Sequence, residues 1–452
     1  MTTLNAVAGA RATDTRKTHA RYGIVAMLFL VTAINYADRA TLSIAGPALS
    51  KELGLDPVTM GYVFSAFGWS YVLGQLPGGW LLDRFGSKFV YFASIFIWSL
   101  FTVLQGGISF LTATATTAVV VLFALRFLVG FAEAPSFPAN GRIVAAWFPA
   151  NERGTASAVF NSAQYFATVL FAPIMGWITH TYGWPYVFYF MGAVGIVVSF
   201  IWLKVIHGPR EHPGINRAEL EYIEKGGALV DMDSSKQAVS ATDTPKWSYV
   251  KQLLSNRMLL GVYIGQYCIT TLTYFFLTWF PVYLVKERGF SILNAGFVAA
   301  LPAICGFVGG VLGGVISDHL LRKGNSLTIS RKTPIVVGML LSTSMIACNY
   351  VESSTVVVAI MAFAFFGKGL GALGWAVVSD TSPKEIAGLS GALFNTFGNT
   401  AAITTPIVIG YLVKGTGSFS AALVFVAANA LVAVICYLFV VGDIKRVVLS
   451  KA

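Results

Sequence analysis

Twelve apolar stretches dominate this sequence, and each is long enough to cross a lipid bilayer as a helix of about 20 residues. Backbone groups inside a bilayer must be hydrogen-bonded within the segment, so open strands are excluded. Only 11% of the 452 residues are charged, against about a quarter in an ordinary soluble domain. We therefore predict an all-α membrane protein with twelve transmembrane helices, which cover residues 22–46, 58–82, 88–107, 118–147, 154–179, 185–206, 258–284, 291–317, 333–350, 355–380, 386–412 and 418–441.

The basic residues predict the orientation of these spans. With the N-terminus inside, 24 of the 31 Lys and Arg residues lie in or beside cytoplasmic segments, four lie outside, and three lie deep within spans. An excess of Lys and Arg on the cytoplasmic side is the usual orientation signal of membrane proteins. We therefore expect both termini to be cytoplasmic. The same distribution accounts for the net charge of +11 without any nucleic acid partner.

One hydrophilic segment divides the twelve spans into two groups of six. Its Glu211–Leu229 part predicts short surface helices, and residues 230–244, rich in Asp, Ser and Thr, predict a flexible linker. The predicted organisation is a cytoplasmic tail at 1–21, a six-helix bundle at 22–206, a cytoplasmic central loop at 207–257, a second six-helix bundle at 258–441, and a cytoplasmic tail at 442–452.

The two groups of spans repeat each other in sequence. Asp83 follows span two and Asp318 follows span eight, 235 residues later. Asn161 and Asn395 each follow a phenylalanine, at the nearly identical offset of 234. Parallel repeats of this kind are typical of transporters that bind their solute near the middle of the membrane, between the two halves. The sequence therefore predicts two pseudo-symmetric bundles with a solute pathway between them.

Four charged residues lie deep within the first bundle: Asp38 and Arg39 in span one, and Arg126 and Glu133 in span four. Each costs roughly 3 kcal/mol to insert, so such residues usually face a cavity or a partner. Asp38 and Arg39 point about 100° apart on a helix, so each needs a partner elsewhere. A fixed Asp38–Arg126 salt bridge is one alternative. Proton coupling, which needs an acid whose environment changes, would use Asp38, Glu133 or both.

Several short blocks carry a resemblance to known proteins. The Gly-x-x-x-Asp-Arg-x-Gly sequence that contains Asp83 resembles the loop motif of the major facilitator superfamily. Within it, the chain resembles the anion:cation symporter family, most closely its glucarate and galactarate permeases, from about Arg21 to Arg446. This resemblance implies proton-coupled import of a hexarate across a bacterial inner membrane. The blocks that carry it are Asn35–Ala40, Gly61–Phe67, Gln75–Trp80, Glu133–Pro138, Asn161–Tyr165 and Phe365–Gly369.

An anionic substrate of this kind needs cations in the pathway. Arg39 and Arg126 offer forked donors that match the two oxygens of a carboxylate. Lys368 lies in span ten of the other bundle. A hexarate has a carboxylate at each end, so we expect the arginines to hold one end and Lys368 the other. The alternatives for Lys368 are snorkelling to the membrane surface or pairing with a polar group across the bundle.

Polyol hydroxyls require amides, hydroxyls and aromatic edges, and such side chains occur at helical spacing on the expected inner spans. The alternative is that polar residues at these positions only join helices, at about 0.6 kcal/mol each. The predicted substrate contacts besides the cations are Asn35, Tyr71, Gln164, Tyr274, Trp375 and Asn395.

The charged loops after spans two and eight are predicted to gate the pathway. The resemblance implies that Asp83, Arg84, Asp318 and Arg322 pair across the two halves at the cytoplasmic face and stabilise an outward-open state. Solvated loop charges are the alternative for each of them. None of the four is expected to bind substrate.

Other functions fit the sequence less well. A symporter for a sugar monoacid, such as galactonate or a hexuronate, and an organic-anion exporter of the same fold are the alternatives within the class. A membrane enzyme is not expected, because the sequence has no catalytic Ser/His pairing and no metal-ligand spacing among its histidines and four cysteines. We expect no cofactor apart from the proton as coupling ion, and no obligate protein partner. The expected partners are a sugar-acid anion and the lipid bilayer.

Overall fold

The computed structural model describes residues 17–111, 114–149, 152–232, 247–383 and 387–448, and most of these residues are helical. Eleven helical stretches are long and apolar enough to cross a membrane. The twelfth long helix, α2 (Pro57–Phe85), has 29 residues but is less apolar, with glycines such as Gly61 and Gly68 in its interior. The predicted twelve-helix membrane fold is confirmed.

The described residues of the first half form eight helices, because one span is followed by a short helix and another is interrupted. Span four is broken at Ala134 and Pro135, because proline lacks the amide hydrogen that a continuous helix needs. The helices are α1 (Ala20–Leu53), α2 (Pro57–Phe85), α3 (Ser87–Gly106), α4 (Ile108–Leu111), α5 (Ala115–Glu133), α6 (Ser136–Trp147), α7 (Arg153–Tyr182) and α8 (Trp184–Val205).

The second half has the same plan with its own interruptions. Span seven contains a π-helical turn at Phe275–Trp279. Span ten is interrupted at residues 371–373, which begin with Gly371 and closely follow Gly369. After α9 (Arg217–Lys225) and α10 (Trp247–Ser255) of the central segment, the helices are α11 (Arg257–Tyr274), α12 (Phe280–Lys286), α13 (Ile292–Arg322), α14 (Leu327–Ser342), α15 (Ser354–Leu370), α16 (Gly374–Thr381), α17 (Ala387–Thr416) and α18 (Ser420–Ile435). A 3-10 segment, Thr343–Tyr350, extends α14, and a π-helical turn, Cys436–Val440, extends α18.

The two halves meet along two long helix pairs, α2 with α17 and α7 with α13. These pairs join span two to span eleven and span five to span eight. Spans two and eight correspond to each other in the sequence repeat, as do spans five and eleven, so the two pairs are equivalent. Glycines allow the close approach that membrane helices need. A Cβ atom at Gly61 would lie 2.5 Å from the carbonyl oxygen of Pro406, and one at Gly296 would lie 2.7 Å from that of Ala172.

The central segment is fastened to the start of the first half. The buried carboxylate of Glu219, on α9, accepts hydrogen bonds from Arg21 at 2.8 Å and from the Thr18 hydroxyl at 2.6 Å. Arg21 also donates to Glu152 at 3.0 Å. The surface helix predicted within this segment is therefore present as α9. Residues 233–246, which include most of the predicted linker, lie outside the described part of the chain.

Candidate functional site

A buried ion pair lies at the centre of the first half. Nε of Arg39, on α1, is 2.9 Å from Oε2 of Glu133, the last residue of α5. The Glu133 side chain is fully buried. Three aromatic rings surround the Arg39 guanidinium, with centroids 4.9 Å away for Tyr36, 4.6 Å for Phe67 and 4.8 Å for Tyr71. Ring faces attract a desolvated cation, so this cage and Glu133 together hold Arg39 in place.

The second pair of predicted charges is arranged differently. Arg126 donates to the backbone carbonyl of Arg39 at 2.7 Å and to that of Asp38 at 3.4 Å. The Asp38 carboxylate instead accepts a hydrogen bond from Thr102, on α3, at 2.9 Å. The alternative of a direct Asp38–Arg126 salt bridge is therefore not found, although both residues are described. Through these two hydrogen bonds, Arg126 stabilises the backbone of α1 at Asp38 and Arg39.

Sequence reasoning missed Thr102, and a signal for it was available. A threonine in an apolar span attracts no notice alone. However, Tyr91, Ser94, Thr102 and Gln105 lie at helical spacing, and all four are buried on one side of α3. A polar stripe that faces the protein interior indicates contacts to other helices rather than to lipid.

Lys368 is the cation that the second half contributes. It lies on α15 and is 4% exposed. Its ammonium is 5.1 Å from the ring centroid of Phe365 and 5.6 Å from that of Tyr165, which belongs to the first half. Among the described residues no carboxylate forms an ion pair with it. A buried charge without a counter-ion is strongly unfavourable, so the surroundings of Lys368 suit a site that an anion completes.

A cavity lies between the halves and between these two cations. Tyr36 separates it from Arg39, and Tyr165 and Phe365 separate it from Lys368, since all three rings line the cavity and also contact the cations. Its other lining residues come from both halves and include Ser43, Gln164, Thr168, Thr273 and Phe276. The cavity therefore has a buried cation behind its aromatic lining on each of two sides, and neither cation lines it directly.

The other predicted contacts occupy varied positions. The Tyr274 hydroxyl donates to Asn399 at 3.3 Å, and Asn399 donates to the side chain of Asn395 at 3.0 Å, so these three form a polar chain within the second half. Gln164 lines the cavity and donates to a carbonyl of its own helix. Trp375 is half exposed and lies on α16, beyond the break in span ten, so it shares no continuous helix with Lys368.

Asn35 and Tyr71 lie away from the cavity lining. Asn35 is buried on the same face of α1 as Arg39, which is turned towards span four. Tyr71 packs against Arg39 and stacks on Phe67. Both residues stay predicted as substrate contacts, and their positions place them next to Arg39 rather than across the cavity.

The predicted gating charges lie at the face where α1 begins, α18 ends and the central segment lies, here called the terminal face. Asp318 is 3.5 Å from Arg331 of its own half. Arg84 is exposed and packs over the ring of Trp80, and Arg322 is also exposed. The Asp83 side chain lies outside the described part of the structure. Pairing of these charges across the halves in another conformation stays a prediction.

At the opposite face, polar contacts join the two halves. Asp56, which precedes α2, is 2.9 Å from Lys414 at the end of α17. The hydroxyls of Tyr62 and Tyr411 are 3.3 Å apart. These contacts hold the halves together on this side of the cavity.

Replacing Asp56 by asparagine is expected to weaken the contact between the two halves at this face. The size of this weakening should not depend on pH between about 5 and 8. The Thr59 amide and the Lys414 ammonium both donate to Asp56, and they lower its pKa to about 2. An ordinary aspartate has a pKa of about 3.9. The contribution of the ion pair is therefore complete above about pH 4 and is lost only as the pH falls through about 2.

The measurement is the distance between spin labels at Lys51 and Gly415, two exposed positions at this face on opposite halves, in a background without the native cysteines. Asparagine keeps the helix cap, so the change isolates the charge. Exposed ion pairs contribute up to about 1 kcal/mol, so the open population should rise by less than about fivefold. Lys414→Met should match Asp56→Asn, and the double variant should add nothing further. A larger effect in the double variant would exclude the pairing.

Twelve membrane-crossing helices in two repeated halves, with a cavity between the halves and buried charges on both sides of it, define a secondary transporter. Residues 28–330 match the Major Facilitator Superfamily, and residues 222–446 match the family described as Sugar (and other) transporter. The chain belongs to the major facilitator superfamily and is a multi-pass membrane transporter. The resemblance noted in the sequence is confirmed.

Individual relatives are similar over nearly their whole length. A probable galactarate/D-glucarate transporter of Bacillus subtilis (strain 168) is 68% identical, over 96% of this chain and 95% of that protein. A D-galactonate transporter of Escherichia coli O6:H1 is 43% identical, over 94% of this chain and 97% of that protein. Among solved structures, a D-xylose-proton symporter superposes with a TM-score of 0.70 at 15% identity, covering 94% of this chain and 99% of that one. That last likeness concerns the fold.

Proposed function

We propose that the protein imports a hexarate, glucarate or galactarate, together with protons by alternating access. The membrane is the bacterial inner membrane, and both termini are cytoplasmic, so the terminal face is the cytoplasmic face. The observation that carries the proposal is the buried Arg39–Glu133 ion pair beside a cavity whose far side holds Lys368, which has no ion-pair partner in the described part of the chain. The names of the relatives with 68% and 43% identity support a sugar acid, and the more similar one supports a diacid.

Binding begins at the two cations. One carboxylate of the hexarate pairs with Arg39, whose fork of donors matches its two oxygens. The other carboxylate pairs with Lys368 across the cavity. Arg126 keeps Arg39 in position through its bonds to the backbone of α1. The hydroxyls between the two carboxylates contact polar side chains that include Gln164 of the first half and the Tyr274–Asn395 chain of the second.

Coupling follows because the substrate and Glu133 compete for the same cation. When a substrate carboxylate takes Arg39, Glu133 remains buried without its counter-ion, which is costly for a charged carboxylate. It therefore takes up a proton, and substrate and proton are bound together. Release of both restores the Arg39–Glu133 pair. Asp38 is held by Thr102 and has no such direct competitor, so Glu133 is the better candidate for the coupling acid.

Uptake of radiolabelled glucarate into proteoliposomes that contain the purified protein tests this proposal. An inward proton gradient should drive glucarate above its outside concentration, and dissipating the gradient should return it to equilibrium. Galactarate should compete well and galactonate poorly. The absence of gradient-driven accumulation with glucarate, galactarate and galactonate would exclude the proposed symport. Accumulation of galactonate alone would favour the monoacid alternative.

A further inference from the structure

Span one and span four lie against each other in a matched antiparallel register. Arg39 pairs with Glu133 at 2.9 Å, and the Thr32 hydroxyl accepts a hydrogen bond from Asn140 at 3.1 Å. Seven residues separate the two contacts on each span, or about 10 Å along a helix. The rings of Tyr36 and Phe137 meet midway, with centroids 6.1 Å apart. The two polar contacts are therefore the ends of one continuous interface.

Between these contacts lies a group of buried polar atoms, here called the polar chamber. Five side chains that border it have buried polar atoms with no hydrogen-bond partner among the described residues: Asn35, Tyr91, Glu133, Ser136 and Asn140. The helix that carries Tyr91, α3, packs against α6, which carries Ser136 and Asn140. Buried polar groups are almost always hydrogen-bonded to protein or to water, and a water needs two to four polar partners. The unpartnered atoms of the polar chamber supply that number of polar partners.

None of the five polar-chamber residues lines the substrate cavity. Tyr36 lies between the two, because its ring lines the cavity and also contacts Phe137 of span four. Asn140 comes seven residues after Glu133 on a span that ends at the terminal face. The polar chamber therefore extends from Glu133 towards the terminal face without passing through the cavity.

We propose that the polar chamber carries the proton between Glu133 and the cytoplasm by a route separate from that of the sugar acid. This inference rests on the proposed proton symport. The O–H bond at the Glu133 carboxyl breaks, and a new O–H bond forms on a water held by Ser136 and Tyr91. The carboxylate that remains pairs again with Arg39. The excess proton then passes the Asn140–Thr32 contact towards the cytoplasmic side.

The test compares two identical substitutions. Tyr91→Phe removes a buried hydroxyl from the polar chamber, and Tyr437→Phe removes an equally buried, unpartnered hydroxyl from the second half. Two rates are measured in proteoliposomes: gradient-driven glucarate uptake with proton entry followed by a trapped pH dye, and exchange of labelled for unlabelled glucarate without a gradient. In Tyr91→Phe we expect gradient-driven uptake to fall roughly tenfold, as for one lost hydrogen bond to a charged group, while exchange is retained. In Tyr437→Phe both rates should match the unmodified protein.

Ser136→Ala is a second variant of the polar chamber and should give the same split between the two rates, so the test does not depend on the folding of Tyr91→Phe. Unchanged gradient-driven uptake in both variants would overturn the inference. A parallel fall of uptake and exchange would also overturn it, because it would indicate a structural role. If the unmodified protein exchanges glucarate but never accumulates it, the proposed symport itself fails, and the inference fails with it.

Discussion

Glu133→Gln is expected to abolish gradient-driven accumulation of glucarate while exchange across the membrane persists. Glutamine resembles the protonated acid, so the variant is held in the state that binds substrate. It can carry loaded substrate in both directions. It cannot release a proton, which is needed before the empty carrier returns with the Arg39–Glu133 pair restored. The measurement is the ratio of accumulated to external glucarate under an inward proton gradient, together with the exchange rate.

Glu219→Gln is the matched control for this experiment. Glu219 is also fully buried and also forms an ion pair with an arginine, at 2.8 Å, but it lies at the terminal face on α9. Its replacement should lower thermal stability without changing the ratio of accumulation to exchange. Normal accumulation by Glu133→Gln would exclude Glu133 as the coupling acid and direct attention to Asp38.

Lys368→Met is expected to weaken glucarate binding roughly tenfold to a hundredfold, because a hydrogen bond to a charged group contributes about 1.5–3 kcal/mol. Methionine keeps an unbranched chain between Tyr165 and Phe365 but removes the ammonium. Galactonate has one carboxylate, which Arg39 can hold, so its affinity should change little. The measurement is the inhibition constant of each acid against glucarate exchange.

Lys332→Met provides the control, because this lysine lies on α14 in the same half and lines no part of the cavity. It should leave both affinities unchanged. An equal loss of affinity for glucarate and galactonate in Lys368→Met would mean that Lys368 does not distinguish a diacid from a monoacid. No loss for either acid would remove Lys368 from the binding site.

Much of the architecture was predictable because it depends on local sequence. Apolar length defined the spans, and the 234-residue offset between Asn161 and Asn395 defined the repeat. The charges in spans one and four were also correctly recognised as exceptional, since few side chains tolerate burial at that depth. The predicted spans 118–147 and 355–380 were continuous, whereas the structure breaks them at Pro135 and at residues 371–373.

The partner of each buried charged residue was not predictable, because it depends on how the helices are rotated against one another. The sequence offered Arg126 and Glu133 as partners for Asp38 and Arg39 without deciding between them. In the structure Arg39 faces Glu133, Arg126 bonds to backbone carbonyls, and Asp38 turns to Thr102. A single sequence contains the spacing along each helix but not the register between helices, and the polar chamber exists only because of that register.

The deep charges of the pathway are unevenly divided between the halves. Within the described part of the chain, the first half holds Asp38, Arg39, Arg126 and Glu133, and the second half contributes Lys368. In the proposed mechanism, the first half therefore couples transport to the proton gradient, and the second half largely determines which substrate is bound. In that mechanism, a mutation of Lys368 alone would shift the preference of the carrier from diacids towards monoacids. The variant carrier would still accumulate its substrate against a concentration gradient.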